Sequence, residues 1–119
     1  MFDDVASAAV RTALTGLATR QRVSANNIAN IETPGFTAQR VDFEGALRSA
    51  VQNATDGSTV DGVAPAVSSS PLAPRQDGNN VNLDEETLAS MDTGLRYQTM
   101  LRAMDERYGL IATAIKGGR

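Results

Sequence analysis

Two carboxylate groups, Asp84-Glu85-Glu86 and Asp105-Glu106, are the places in this 119-residue chain where residue type and spacing could do chemistry. Neighbouring carboxylates hold cations, or divide acid and base roles, when a cleft drives their pKa values apart. Neither group has that setting. Asn82-Leu83-Asp84-Glu85 reads as a helix start, in which Asn82 caps the first turn, Glu85 bonds back to it and the acidic residues complement the helix dipole. Asp105 and Glu106 fall on the polar face of the helix that follows. Both groups are accounted for as capping or solvated side chains.

The chain has no Cys and no His, which removes thiol nucleophiles, disulfides, thiolate or imidazole metal sites and imidazole acid–base catalysis. No catalytic residue, cofactor or metal is expected, and no small-molecule substrate; the chain reads as a non-enzyme. A formal net charge of -3 without a basic patch disfavours nucleic acid as a partner. Met1-Phe2-Asp3-Asp4 lacks the basic start and apolar run of a cleavable secretory signal, and no stretch of about 18 apolar residues could span a bilayer. The expectation is a soluble protein, or one exported by a route that cleaves no signal.

The elements around these residues are helical. Residues 3 to about 31 contain no Pro and one Gly, Gly16, and are rich in Ala, Leu, Arg and Gln. Alternating steps of four and three from Val10 meet Leu14, Leu17, Gln21, Ser24, Ile28 and Ile31, a narrow seam at heptad spacing. Such a helix is roughly 43 Å long, which suits a bundle or filament better than a small globule. From Asn82 a second helix carries Leu88, Met91 and Leu95, then Leu101, Met104, Tyr108, Ile111 and Ile115, with a register slip near Tyr97 and Gln98. Lys116, Gly117, Gly118 and Arg119 close it with cations and glycine.

Between the helices, residues 49–80 are dominated by Ser, Ala, Gly, Asn, Thr, Asp and Pro, and Pro65, Pro71 and Pro74 interrupt any regular element. This zone reads as a flexible linker in which Val60, Val63 and Val67 could form short strand pieces. The organisation expected is therefore residues 1–48 as first helix, turn and extended segment, 49–80 as linker and 81–119 as second helix, all in one structural unit. The fold class is mainly α, with the two long helices pairing as an antiparallel coiled-coil-like bundle. Two seams this narrow stabilise an isolated hairpin only weakly, so partners are expected to complete the burial.

Thr33-Pro34-Gly35-Phe36 ends the first helix: Pro34 disfavours helix at Thr33, and Gly35 supplies the positive φ that a type II turn needs. Asn26, Asn27 and Asn30 precede the turn, where short amides can bond freed carbonyls or a neighbouring chain. Alone, each feature is an ordinary helix stop or a solvated helix surface. Together, Asn27-Ile28-Ala29-Asn30 followed by Thr33-Pro34-Gly35-Phe36 after a long helix closely resembles the signature of the axial proteins of the bacterial flagellum, the family of rod, hook and hook-associated subunits. Phe36 stands where that family more usually has tyrosine. The short middle zone and Asp77-Gly78-Asn79-Asn80-Val81-Asn82-Leu83-Asp84-Glu85 are similar to the small proximal-rod members.

The resemblance implies a structural subunit of the proximal rod of the flagellar basal body. It would self-assemble with other rod proteins into a tubular drive shaft that carries torque and passes exported subunits. The partners implied are further copies, other rod subunits, a rod-base adaptor, a membrane-ring protein and the flagellar type III export apparatus, and the location implied is the periplasmic rod. Val10, Leu14, Leu17, Ile28, Leu101, Met104, Tyr108, Ile111 and Ile115 would pack the helices and the assembly, and Asn27, Asn30, Thr33, Pro34, Gly35 and Phe36 would set the turn and adjacent contacts. The alternative is a helical adaptor or export-chaperone-like binding protein whose seams receive a partner's helix.

Overall fold

A computed structural model describes residues 4–117. Six elements follow one another: helix α1 (Val5–Ala29), strand β1 (Gln39–Asp42), helices α2 (Glu44–Asn53) and α3 (Gly57–Asp61), strand β2 (Ala66–Ser69) and helix α4 (Leu83–Gly117). The chain is 68 Å long but only 25 and 15 Å across, because α1 and the 35-residue α4 lie side by side as one long layer. Their partners run in opposite directions: Asn27 meets Glu86, Gln21 meets Ser90, and Ser7 meets Arg107. The pair is antiparallel, as the two seams predict.

Caps fix the ends. The Asp4 carboxylate accepts from the Ser7 N–H at 2.7 Å and ion-pairs with Arg107, tying the first turn of α1 to α4. Both contacts, Ser7 first, lower the Asp4 pKa. The Asn82 side-chain oxygen accepts from the Glu85 N–H at 3.1 Å and starts α4 where the capping pattern places it. Asp56 caps α3 through the Ser58 N–H at 2.9 Å.

Residues 49–80, which read as a linker, carry the end of α2, all of α3 and β2. Val60 sits in α3 and is fully buried, and its carbonyl accepts from the Thr12 hydroxyl at 3.2 Å. Arg11 pairs with Asp61 beside it. Thr12 and Ala8, one turn before it, are buried on the same face of α1. β2 pairs antiparallel with β1, Gln39 opposite Ser69 and Val41 opposite Val67, so Val67 is the valine of the three that lies in a strand. No helix among the described residues is long and apolar enough to cross a membrane.

α1 is therefore packed on two sides. Leu17, Val41 and Phe43 form the core, with Ala13, Val23, Leu47, Tyr97 and Met100 against them. Gly16 makes this possible, since a Cβ there would lie 2.5 Å from carbons of the Phe43 ring.

Candidate functional site

The Thr33–Phe36 motif folds as its residues dictate. The Phe36 N–H donates to the Thr33 carbonyl at 3.2 Å, and Gly35 takes φ 77°, completing a type II turn. A second tight turn at Arg75–Asn79 lies against it, in which the Arg75 N–H donates to the Asn79 carbonyl at 2.8 Å and Gly78 takes φ 86°. The Gly35 N–H donates to the Asp77 carbonyl at 2.8 Å, and a Cβ on Gly78 would lie 3.2 Å from Gly35 Cα. Both glycines are required, for conformation and for approach.

Helix termini leave carbonyls without intrahelical partners. Just past the end of α1 a buried amide gathers the carbonyls of the cap and the turn: Asn79 Nδ2 donates to those of Asn30 at 2.8 Å, Ile31 at 3.1 Å and Thr33 at 2.8 Å. Arg75 adds a guanidinium bond to the Ile31 carbonyl at 2.6 Å and another to Val81 at 2.7 Å. Asn80 Oδ1 accepts from the Ala38 N–H at 2.6 Å, while its Nδ2 donates to Ser70 and Leu72 carbonyls. Asn27 works from the helix side: it exchanges two bonds with the Gln39 backbone, at 2.9 and 3.0 Å, and donates to Glu86 at 2.9 Å. Three buried asparagines thus bind α1, both turns, β1 and the start of α4 into one elbow. Every buried side-chain nitrogen and oxygen among the described residues has a partner.

Beside the elbow, Arg20 grips Glu44 through two bonds of 2.6 and 2.7 Å, donates to the Val41 carbonyl at 2.8 Å and lies 4.9 Å over the Phe43 ring. The hydrogen bond from Arg20 is the main reason the Glu44 carboxyl is held down to about 2; partial burial opposes it. The same bond raises the Arg20 pKa.

The motif residues named from the sequence are brought together here, with different tasks. Asn27 clamps β1 and α4; Asn30 bonds the Asn26 carbonyl and accepts from the Thr33 hydroxyl; Pro34 and Gly35 make the turn. Phe36 is half-buried and offers its carbonyl to the Asn80 N–H. Asn79 and Asn80, which the sequence offers only within the stretch similar to the proximal-rod members, and Arg75 and the Arg20–Glu44 pair, which it does not mark, carry as much of the elbow.

The α1 seam is packed less evenly than its spacing suggests. Leu17 and Ser24 are buried, Val10, Leu14, Ile28 and Ile31 half-buried, and Gln21 exposed with a bond to Ser90. On α4 the seam divides. The face packed inward is Glu86, Ser90, Thr93, Tyr97, Met100, Met104 and Arg107, an unbroken heptad with no slip, largely polar or small in its first half. Leu88, Met91, Leu95 and Leu101 do not close on α1; they are 68%, 63%, 65% and 42% exposed. The slip expected at Tyr97 is the point where the apolar residues change sides of the helix. The side chains of Tyr108, Ile111 and Ile115 lie outside the described residues, while the helix backbone continues past them.

Of the carboxylates, Glu86 accepts from Asn27, and Asp84, Glu85, Asp105 and Glu106 are exposed. No group of three acidic residues that could hold a metal occurs among the described residues.

An uncovered apolar stripe beside a backbone clamp suits contact with other protein, and known proteins with this sequence pattern bear on which. The family model described as flagella basal body rod protein matches residues 9–37, from α1 through the turn. The chain is 35% identical to the flagellar basal body rod protein FlgB of Cereibacter sphaeroides, over 83% of this chain and 84% of the relative. It is 31% identical to FlgB of Escherichia coli (strain K12), over 85% and 86%, and 29% identical to FlgB of Bacillus subtilis (strain 168), over 84% of each. The chain belongs to the FlgB family of flagellar basal body rod proteins. It is a structural subunit of the flagellar basal body, and membership implies assembly with other basal-body components. In FlgB terms, the matched segment is the part of the molecule that forms α1 and half of the elbow.

Proposed function

We infer that this FlgB-family chain occupies the proximal rod, where it assembles with further copies and with other rod subunits into a tubular shaft. The shaft transmits torque to the hook and leaves a lumen for subunits exported later. The observation that carries this reading is the outer stripe of α4: three large apolar side chains stand uncovered on a helix whose opposite face is already packed. Large apolar side chains left exposed along the free face of a helix whose other face is already packed mark a surface for association. The elbow and the Arg107–Asp4 pair hold the two long helices in register at both ends, giving a rigid rod-like unit for stacking.

On this reading the partners are copies of itself, other rod proteins, the rod-base adaptor, the membrane ring beneath and the type III export apparatus. Export proceeds without a cleaved signal, the site of action is the periplasmic rod, and the work is mechanical with no catalytic turnover. Replacing the chromosomal coding sequence tests it: loss should abolish swimming and leave basal bodies without hooks, and restoring the chain should recover both. Normal rods and hooks without the chain would contradict the reading.

A further inference from the structure

A groove of about 450 Å³ runs between α1 and α4, floored by Leu17, Ala18, Gly94 and Tyr97, with exposed Arg22 and Gln98 at its sides. Gly94 is the informative residue. A glycine inside a helix is unfavourable relative to alanine, and such glycines are kept where something must approach closely. Gly16 shows that case within the molecule, pressed against Phe43, but a Cβ on Gly94 would meet nothing within 4 Å. Nothing in the chain's own fold needs Gly94 to be small.

The stripe supplies what the groove lacks. Leu88, Met91 and Leu95 project from α4 at steps of three and four, with Asp84 one turn earlier on the same face. At 100° per residue the centre of this stripe lies roughly a quarter of a turn around α4 from Gly94, with Gln98 between the two. A molecule cannot fold its own stripe into its own groove, because one helix bears both. Two different, complementary surfaces on one chain make a head-to-tail contact that leaves a free groove at one end and a free stripe at the other, so addition is open-ended. Acidic Asp84 leading the stripe and basic Arg22 beside the groove are opposite in charge.

We propose that the groove at Gly94 receives the Leu88–Met91–Leu95 stripe of a second copy of this chain. This rests on the rod reading and names the contact by which copies stack. Because the chain contains no cysteine, single replacements report it without background. Ala18 lies beside Gly94, and Leu88 is six residues away along α4, roughly 9 Å of helix rise; a disulfide between them within one molecule is out of reach, since bridged Cα atoms lie within about 7 Å.

The experiment is mild oxidation of basal bodies from cells whose sole copy carries A18C and L88C together. The expected result is a disulfide ladder of the chain, absent from either single variant and lost when Gly94→Leu is added. Gly94→Ala should weaken the ladder less than Gly94→Leu does, while raising the melting temperature of the purified chain. Chain present in basal bodies without a ladder, or a ladder that survives Gly94→Leu, overturns the contact and leaves the rod reading standing. Linkage through L88C alone, as a symmetric dimer, overturns the head-to-tail arrangement. Linkage only to a different polypeptide overturns the second copy as occupant. Absence of the unoxidised wild-type chain from basal bodies overturns the rod reading, and the contact with it.

Discussion

At the elbow, Asn27, Asn79 and Asn80 are buried, while one to three turns into α4 Leu88, Met91 and Leu95 stand in solvent. Polarity and burial are inverted between the two regions. The elbow is polar because its task is to finish interrupted backbone: a helix end, two turns and a strand edge expose carbonyls and N–H groups that only amides of the right reach can satisfy. The stripe is apolar because its task lies outside the chain. Inside this molecule, hydrogen bonding fixes the shape, and hydrophobic surface is held in reserve for association.

The largest effect should come from breaking the elbow. Asn79→Ala removes the donor shared by three carbonyls just past the end of α1 and leaves the buried Val81 N–H without its acceptor; the expected loss is about 2–4 kcal/mol, measured by urea unfolding. Asn27→Ala should cost slightly less, about 1–3 kcal/mol, since its bonds to Gln39 can be partly replaced by water near the exposed strand residues.

Gly16→Ala comes next. The added methyl meets the Phe43 ring, and relieving that overlap should cost about 1–3 kcal/mol despite the better helix propensity of alanine. The same substitution at Gly94 should stabilise by up to about 1 kcal/mol, which sharpens the contrast between a glycine used inside the fold and one that is not.

Acid should act on the elbow's flank. The Glu44 carboxyl ordinarily titrates near 4.5 and is held to about 2 by Arg20, so the folded state binds its proton less readily than the unfolded chain. The stabilisation is fully present above about pH 4.5 and is lost as pH falls toward 2. Glu44→Gln should flatten the unfolding curve over that interval, whereas an unchanged acid profile would remove the pair from the account. The smallest effect on the isolated chain should follow replacement of Leu88, Met91 and Leu95 together by Gln. Its stability should shift within roughly 0.5 kcal/mol, as exposed positions do, while incorporation into basal bodies is lost.

How much of this was legible in the sequence follows from which forces are local. Pro34-Gly35 encodes its own turn and Asn82 its own cap, because each acts within four residues. The two long helices were visible from composition and absence of breakers. The folding of residues 49–80 was not, since α3 has little periodicity of its own and is held by contacts such as that of Thr12 with the Val60 carbonyl, 48 residues away. Asn79 and Asn80 stood out only within the stretch similar to the proximal-rod members; their partners, the carbonyls past the end of α1 for Asn79 and Ala38, Ser70 and Leu72 for Asn80, are tertiary and leave no local pattern. The α4 seam was read as one stripe because apolar spacing alone cannot tell an inward face from an outward one. The clue was the inward heptad of Ser90, Thr93 and Tyr97, too polar at first to attract notice.

The most direct test of the central claim uses two methionines in one helix. Met91 is exposed on the outer stripe and Met104 is buried against the rest of the molecule, so peroxide oxidation of each side chain, read by mass spectrometry, reports one face of α4. In the purified chain Met91 should oxidise quickly and Met104 slowly; in isolated basal bodies both should be slow. Met91 remaining as reactive in the rod as in the free chain would contradict the account, because the outer stripe would then be uncovered where it is supposed to act.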